Sequence, residues 1–335
     1  TLAAVNFNGD GGATAPTLAL GAPGVFSNHR LILSGAAAIT VVNDNYATTP
    51  TISGTFTAAS QSATLEFSNA SPIVNVSGLS PQGLLISAAI TQNAGHSNAL
   101  SKTGSGSLIL TNANSSWTTG LTVSAGSLIL GANSTPNTVG GTVTAGPVGT
   151  GMLTLASGTA LLSDGSNRTL ANAVTLTGDV TFGGTASGHG LILNGAIAMG
   201  SANRTLTVSS PQVTATLGGV ITGTGGLTKS GDGILLISNA ANAYSGATNV
   251  SAGLLRLGSA TAIPVASSIV VSAGAPHVPP ALEEQLAEGG RMLIPIGDRD
   301  EQILTLFVKR NGQLEGRDIV PVRFVPLIGA GGWLA

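Results

Sequence analysis

A gapless internal repeat constrains this chain more than any other feature. The segment LSKTGSGSLILTNANSSWTTGLTVSAGSLILG at Leu100 to Gly131 aligns at a constant offset with LTKSGDGILLISNAANAYSGATNVSAGLLRLG at Leu227 to Gly258. Lys102 matches Lys229, Gly104 matches Gly231, Gly106 matches Gly233, Leu108 matches Leu235, Asn112 matches Asn239 and Trp117 matches Tyr244. Val123 to Gly126 and Val250 to Gly253 both read VSAG. Self-similarity of this kind marks a stacked architecture, in which each repeat buries its apolar face only against its neighbours. Such a chain is expected to be a scaffold or a binding surface, with no active site by default.

Charge divides the chain in two. Residues 1–266 hold six cations (Arg30, Lys102, Arg168, Arg204, Lys229, Arg256) and six anions (Asp10, Asp44, Glu66, Asp164, Asp179, Asp232). The much shorter stretch 267–335 holds six Lys/Arg and eight Asp/Glu. A typical domain is roughly a quarter charged, so the tail is ordinary and the long first part is not. The expected domains are a repeat-bearing part over 1–268 and a different segment over 269–335. So little charge argues against nucleic-acid binding, which needs Lys and Arg to neutralise phosphates, and against electrostatic attachment to anionic membranes. Without cysteine there is no disulfide and no thiolate metal site. No apolar run is long enough to predict a transmembrane helix. The chain begins at Thr1 without a basic-then-apolar leader, as expected of a mature form or a fragment.

The first part is built from Gly, Ala, Ser, Thr, Asn, Val, Leu and Ile. Short runs such as Leu108-Ile109-Leu110 and Leu191-Ile192-Leu193, and alternations such as Thr205-Leu206-Thr207-Val208, sit between turn residues, which is the signature of strands. Asn8-Gly9, Asp164-Gly165 and Gly231-Asp232-Gly233 supply the positive-φ positions that corners need. A sandwich or a barrel would share the short strands. The gapless repeat and uniform composition favour an all-β fold, a right-handed parallel β-helix (solenoid) with roughly 20–25 residues per rung and strands about 4.8 Å apart.

The pattern Lys-x-Gly-x-Gly-x-Leu … Asn … Trp/Tyr … Val-Ser-Ala-Gly-x-Leu-x-Leu-Gly resembles the autotransporter-associated β-strand repeat. That resemblance implies an extracellular β-helix, the passenger region of a bacterial surface protein, working as a stalk or an adhesive surface. A membrane β-barrel with aromatic-girdled strands, which that family carries at its C-terminus, does not follow in this sequence.

From Ile269 the pattern changes to that of a small α/β fragment. Ile269-Val270-Val271 reads as a strand, Ala281 to Leu286 as a helix with Pro280 near its first position, and Arg291 to Gly297 as a second strand. Gln302 to Lys309 reads as a third, Asn311-Gly312 as a hairpin turn, and Val322 to Leu327 as the return strand. This order matches the second half of a doubly wound domain. The wording VSAGAPHVPP, then QLAEGGRMLIPIG, then VRFVPL is similar to protein-L-isoaspartate O-methyltransferase over about 67 residues. The resemblance implies that only the last third of that domain is present, without the Gly-rich loop that binds S-adenosylmethionine. No strand–Gly-rich-loop–helix unit occurs in residues 1–266; Gly223-Thr224-Gly225-Gly226 has no helix after it. The two resemblances meet at VSAG, and we read the chain as a chimera joined near residue 270. Strands at Ile269, Leu293 and Leu304 that lack parallel neighbours are expected to pack loosely on the last rung, partly capping it, or to be mobile.

Candidate sites have bland readings. His29, His96, His189 and His277 are too far apart in sequence for a metal pair. The spacing of Asp164 and Asp179 does not bring two acids together on one rung, as a glycosidase pair would require. Gly231-Asp232-Gly233 is a structural turn. Trp117 and Tyr244 are expected to stack within the wall, a sugar platform being the other reading. Glu283, Glu284 and Glu288 read as a solvated face, and His277 lies in a loop that lines the substrate cleft in the methyltransferase family. No catalytic, cofactor-binding or metal residue is assigned and no cofactor is expected. The leading reading is a non-enzymatic, extracellular or outer-membrane-surface β-helix with an unidentified glycan or protein ligand and no nucleic-acid partner. The alternative is an incomplete, cytoplasmic protein-repair methyltransferase.

Overall fold

A chain rich in short aliphatic runs between small residues satisfies its backbone most economically by stacking those runs as parallel strands. The computed structural model describes residues 1–9, 14–20, 29–44, 48–54, 63–78, 83–97, 99–186, 188–259, 261–264, 266–286, 288–327 and 332–333. They form two compact units, Thr1–Gly195 and Ala196–Ala335. Both are parallel β-solenoids, and the only helix among the described residues is Pro280–Gln285.

In the first unit each rung contributes a strand to two long ladders. One runs from Val5–Gly9 through Ile39–Asn43, Ile73–Ser77, Leu100–Thr103, Leu121–Val123 and Leu153–Leu155 to Val174–Leu176. The other runs from Thr17–Leu20 through Thr51–Gly54, Leu84–Ile86, Ser107–Leu110, Ser127–Leu130 and Thr159–Ser163 to Val180–Gly184. A third face is shorter, made by His29–Leu33, Ala63–Phe67 and Ala89–Gln92, and again by Arg168–Leu170 with Leu191–Leu193. Alternation along each strand points every second residue inward. Leu84, Leu108, Leu128, Leu161 and Phe182 therefore stand in register as one internal ladder, each essentially inaccessible to solvent.

Rung length departs from the expected uniformity. Leu100 pairs with Leu121 and Leu153 with Val174, which are rungs of the expected length. Val5 pairs with Ile39, and Ile39 with Val74, which are much longer rungs. Corner insertions do not disturb the ladders, because only the strands must keep the spacing between rungs.

The second unit uses the same construction. Its sheets hold Ile197–Ala198, Ile221–Gly223 and Ala243–Tyr244; Thr214–Leu217, Ile234–Ile237 and Leu254–Leu257; and Arg204–Val208, Leu227–Ser230 and Thr248–Val250. The last of these sheets does not stop at the repeat. Ser268–Val271 pairs in parallel with Thr248–Val250, and Arg291–Gly297 pairs in parallel with Ser268–Val271. Two antiparallel strands, Gln302–Arg310 and Gln313–Val322, complete it. The tail is thus no loose appendage: its first strand finds the parallel neighbour it needs in the solenoid itself.

The return strand differs from expectation. It lies at Gln313–Val322, directly after the turn, instead of at Val322 to Leu327. Asn311 and Gly312 both adopt positive φ (53° and 76°), the geometry of a two-residue hairpin. Arg310 and Gln313 therefore pair at once, and pairing proceeds from there.

Core truncation tests the ladder. Leu128→Ala should destabilise the first unit by about 2–5 kcal/mol, read as a lowered midpoint in denaturant unfolding. A change under about 0.5 kcal/mol, the size usual for surface positions, would show that the ladder is not the stabilising element.

Candidate functional site

The two repeats are the most specifically built elements of the chain, and their geometry is nearly identical. In the first copy Leu100 to Lys102 pair with Leu121 to Val123, and Ser107–Leu110 pairs with Ser127–Leu130. In the second, Leu227 to Lys229 pair with Thr248 to Val250, and Ile234–Ile237 pairs with Leu254–Leu257. Each copy is one corner of the solenoid carried over two stacked rungs.

A buried lysine fastens that corner. Lys102 and Lys229 occupy inward positions and have no solvent exposure. The Lys102 ammonium donates to the carbonyls of Thr103 (3.1 Å), Gly104 (2.6 Å) and Ala125 (2.9 Å). The Lys229 ammonium donates to Ser230 (2.8 Å), Gly231 (2.5 Å) and Ala252 (3.1 Å). Three donors meet three acceptors, two on the lysine's own rung and one on the next. The alanine is that of VSAG, and the glycine after it is required. Gly126 has φ +69°, and a Cβ there would lie 2.4 Å from the Gly106 carbonyl oxygen and 2.7 Å from the Lys102 ammonium. Gly253 repeats this beside Lys229.

Burial pushes both ammonium groups down to about 8, with Asp232 drawing Lys229 partly back up. The unfolded chain, at the ordinary 10.5, therefore holds these protons more tightly than the folded one.

The aromatic positions of the repeat are internal. Trp117 is buried and its indole donates to the Gly120 carbonyl at 3.1 Å. Tyr244 is fully buried; its hydroxyl lies 2.8 Å from Thr248 Oγ1, which is 2.9 Å from Ser267 Oγ. Neither ring offers a face to a sugar.

The residues weighed as candidates do not converge. His29 lies on a strand of the short third face, His96 follows Ala89–Gln92, His189 precedes Leu191–Leu193 with Nδ1 buried and unpartnered, and His277 lies before the helix. Among the described residues no three His, Cys, Asp or Glu side chains gather as a metal site would require. Asp164 accepts both guanidinium bonds of Arg168 (2.7 and 2.6 Å), which holds its carboxyl below the carboxylate range. Burial pushes the Glu66 carboxyl up, but bonds from Arg30 (2.7 and 2.6 Å) and Asn93 (2.8 Å) outweigh it and hold the group low. Gly231-Asp232-Gly233 is a corner, its Gly233 amide donating to the Val208 carbonyl at 2.7 Å. Glu288 is not simply solvated: its carboxylate accepts from the Asn311 and Gly312 amides (2.5 and 3.1 Å), fixing the hairpin turn.

Comparison with known proteins agrees with this geometry. Residues 100–130 and 227–257 match the family described as Passenger-associated-transport-repeat. Both copies of the internal repeat are thus similar to that family. Residues 243–331 match the family described as Protein-L-isoaspartate(D-aspartate) O-methyltransferase, a match that begins inside the second repeat. The protein-L-isoaspartate O-methyltransferase of Desulfotalea psychrophila is 48% identical over 66 residues, 20% of this chain and 31% of that protein. The Hyperthermus butylicus protein of the same name is 52% identical over 66 residues, 19% of this chain and 27% of the relative. The chain spans less than a third of the length of these curated relatives.

Sequence alone aligns Lys102 with Lys229 but gives them no role. The available signal is their rarity: the repeat carries a lysine at the same position twice, in a region almost free of charge.

Two measurements test the clamp. Lys102→Met strands three carbonyls and should cost about 3 kcal/mol, since each unsatisfied buried acceptor costs roughly 1–3 kcal/mol; a loss under about 0.5 kcal/mol in denaturant unfolding would remove the clamp's importance. The pH dependence is specific. A folded state that binds protons less tightly gains stability as pH rises, so the thermal midpoint should climb from about pH 8 to the ordinary lysine value of 10.5. Tyr244, raised by burial from its ordinary 10.0, acts in the opposite sense: once the unfolded chain begins to lose its phenol proton the folded chain still holds it, so stability from this group falls as pH rises and opposes the lysines there. The climb should vanish in the double variant Lys102→Met, Lys229→Met, and a midpoint that falls in the parent chain would show that the carbonyl cages favour the charged amine.

Proposed function

We propose that this chain is a segment of a secreted or cell-surface passenger protein whose β-solenoid works as a stalk, and that its methyltransferase-type segment transfers no methyl group. The observation that carries the reading is the pair of passenger-associated transport repeats, each built as a lysine-clamped corner of a parallel solenoid. Strands held by ladder hydrogen bonds and stacked aliphatic side chains make a stiff body suited to presenting a surface at a distance. Half-buried outward threonines and asparagines such as Thr122, Thr154, Thr228 and Asn249 leave that surface polar and uncharged, which suits weak, repeated contacts with a glycan or a protein. No helix among the described residues is long and apolar enough to cross a membrane.

A second reading has its own support, the match to protein-L-isoaspartate O-methyltransferases over 66 residues. It requires a cofactor-binding half, and the shared segment is under a third of those relatives.

One experiment separates the two. Intact producing cells are treated with protease, and the full purified chain is titrated with S-adenosylmethionine in a calorimeter. Cleavage of the chain on intact cells without saturable heat supports the stalk. Protection until lysis, together with saturable cofactor binding, would replace it with the enzyme.

A further inference from the structure

We propose that the methyltransferase-type segment serves this chain as the C-terminal cap of its solenoid, closing the last rung by strand pairing and a shared core. This role holds wherever the chain is delivered, because it answers a requirement of parallel sheets. A solenoid grows by pairing each rung with the next, so its final rung presents an unpaired edge and a half-covered core. After the second repeat those would be the edge of Thr248–Val250 and the inner face of Leu254–Leu257.

The segment meets both needs. Ile269, Val270 and Val271 pair in parallel with Thr248, Asn249 and Val250. Ile269, Val271, Ala275, Leu286, Met292 and Ile294 form a buried cluster with Ile263, and Leu255 and Leu257 of the last repeat strand pack against it. Polar groups also fasten the residues that lead into the join onto the last repeat. The chain of hydroxyls Tyr244–Thr248–Ser267 is buried and ends one residue before Ser268–Val271. Asn242 Nδ2 donates to the Ala262 carbonyl at 2.7 Å, while its Oδ1 accepts from the Ile221 amide at 2.8 Å.

The way the sheet ends also fits a cap. Arg291–Gly297 is followed by antiparallel strands, so the parallel stack is terminated by a change of direction. The outermost strand, Gln313–Val322, carries Glu315, Arg317, Asp318 and Pro321. Charge and proline are the devices that blunt an exposed sheet edge. A fragment of a doubly wound domain can do this because such a domain is itself a parallel sheet. Its first remaining strand needs a parallel neighbour of the same spacing, and a solenoid rung provides one.

Hydrogen exchange on the full chain tests the proposal with two variants. Met292→Asp places a charge in the shared cluster, and Thr248→Val breaks the hydroxyl chain without changing size. In Met292→Asp the amides of 248–257 should exchange at least tenfold faster, while those of 100–130 keep their protection. In Thr248→Val the amides of 248–257 and 268–271 should accelerate together. The proposal is overturned if Met292→Asp frees 291–322 while 248–257 stays as protected as in the parent chain. It is equally overturned if Thr248→Val loosens the tail alone or neither side. Should Met292→Asp lose protection everywhere, the Thr248→Val result decides between these outcomes.

Discussion

Every corner of a parallel solenoid interrupts the ladder and leaves backbone carbonyls without the amide that a strand would supply. Asparagine amides meet such carbonyls singly or in pairs, as Asn112 does at Ser87 and Asn172 at Gly149 and Gly151. The lysine corner of the repeat uses one long cation. Lys102 and Lys229 reach from an inward strand position into the corner and gather three carbonyls from two rungs. Most of the repeat's spacing then has a cause. The residues after the lysine supply two acceptors, the VSAG alanine one rung later supplies the third, and the following glycine is needed because a side chain would strike the ammonium. Burying an unpaired ammonium would be prohibitive, so the acceptors and the lysine require one another. The motif recurs in both copies as a unit because none of its parts is stable alone.

The same economy explains other charges of the unit Thr1–Gly195. Arg30 with Glu66, and Arg168 with Asp164, form two-bond pairs that fasten neighbouring strands and corners. Glu66 also accepts from Asn93, and it is nearly buried. Acids used in this way are held ionised by their partners and have no spare capacity for proton transfer. The scarcity of charge that sets this region apart in composition goes with a use of ionic groups as fasteners.

Much of the fold is legible because the ladder writes itself into the sequence. Alternation at Leu121-Thr122-Val123 or Val174-Thr175-Leu176 states which residues face inward, and the offset between copies announces stacking. Rung length is less legible, since insertions at corners leave no trace in the strand pattern: Val5 to Ile39 is a far longer rung than Leu100 to Leu121. The lysine's role is hidden for a different reason. A lone lysine among apolar residues reads as a surface group, and only the three-dimensional corner shows the carbonyls it meets. Val322, Phe324 and Val325 look more strand-like than Gln313 to Asp318, which misplaces the return strand. Turn geometry outweighs propensity there, as a two-residue hairpin dictates the register of the strand after it.

The two compact units each contain one copy of the repeat, the first in Thr1–Gly195 and the second in Ala196–Ala335. A linear array of rungs has only nearest-neighbour interactions, so its cooperativity depends on local contacts strong enough to bind adjacent rungs into one block. Aliphatic ladders act between every pair of rungs and single out none. The lysine clamp acts at one pair, and there it adds ionic hydrogen bonds that are stronger than neutral ones. One clamp in each unit gives each its own point of high local stability, from which neighbouring rungs can order outward. In the second unit that point lies directly beside the strand that begins the methyltransferase-type segment, since Lys229 pairs with Val250 and Val250 with Val271. That strand is therefore added beside a rung the clamp fastens, and finds there the parallel neighbour it pairs with.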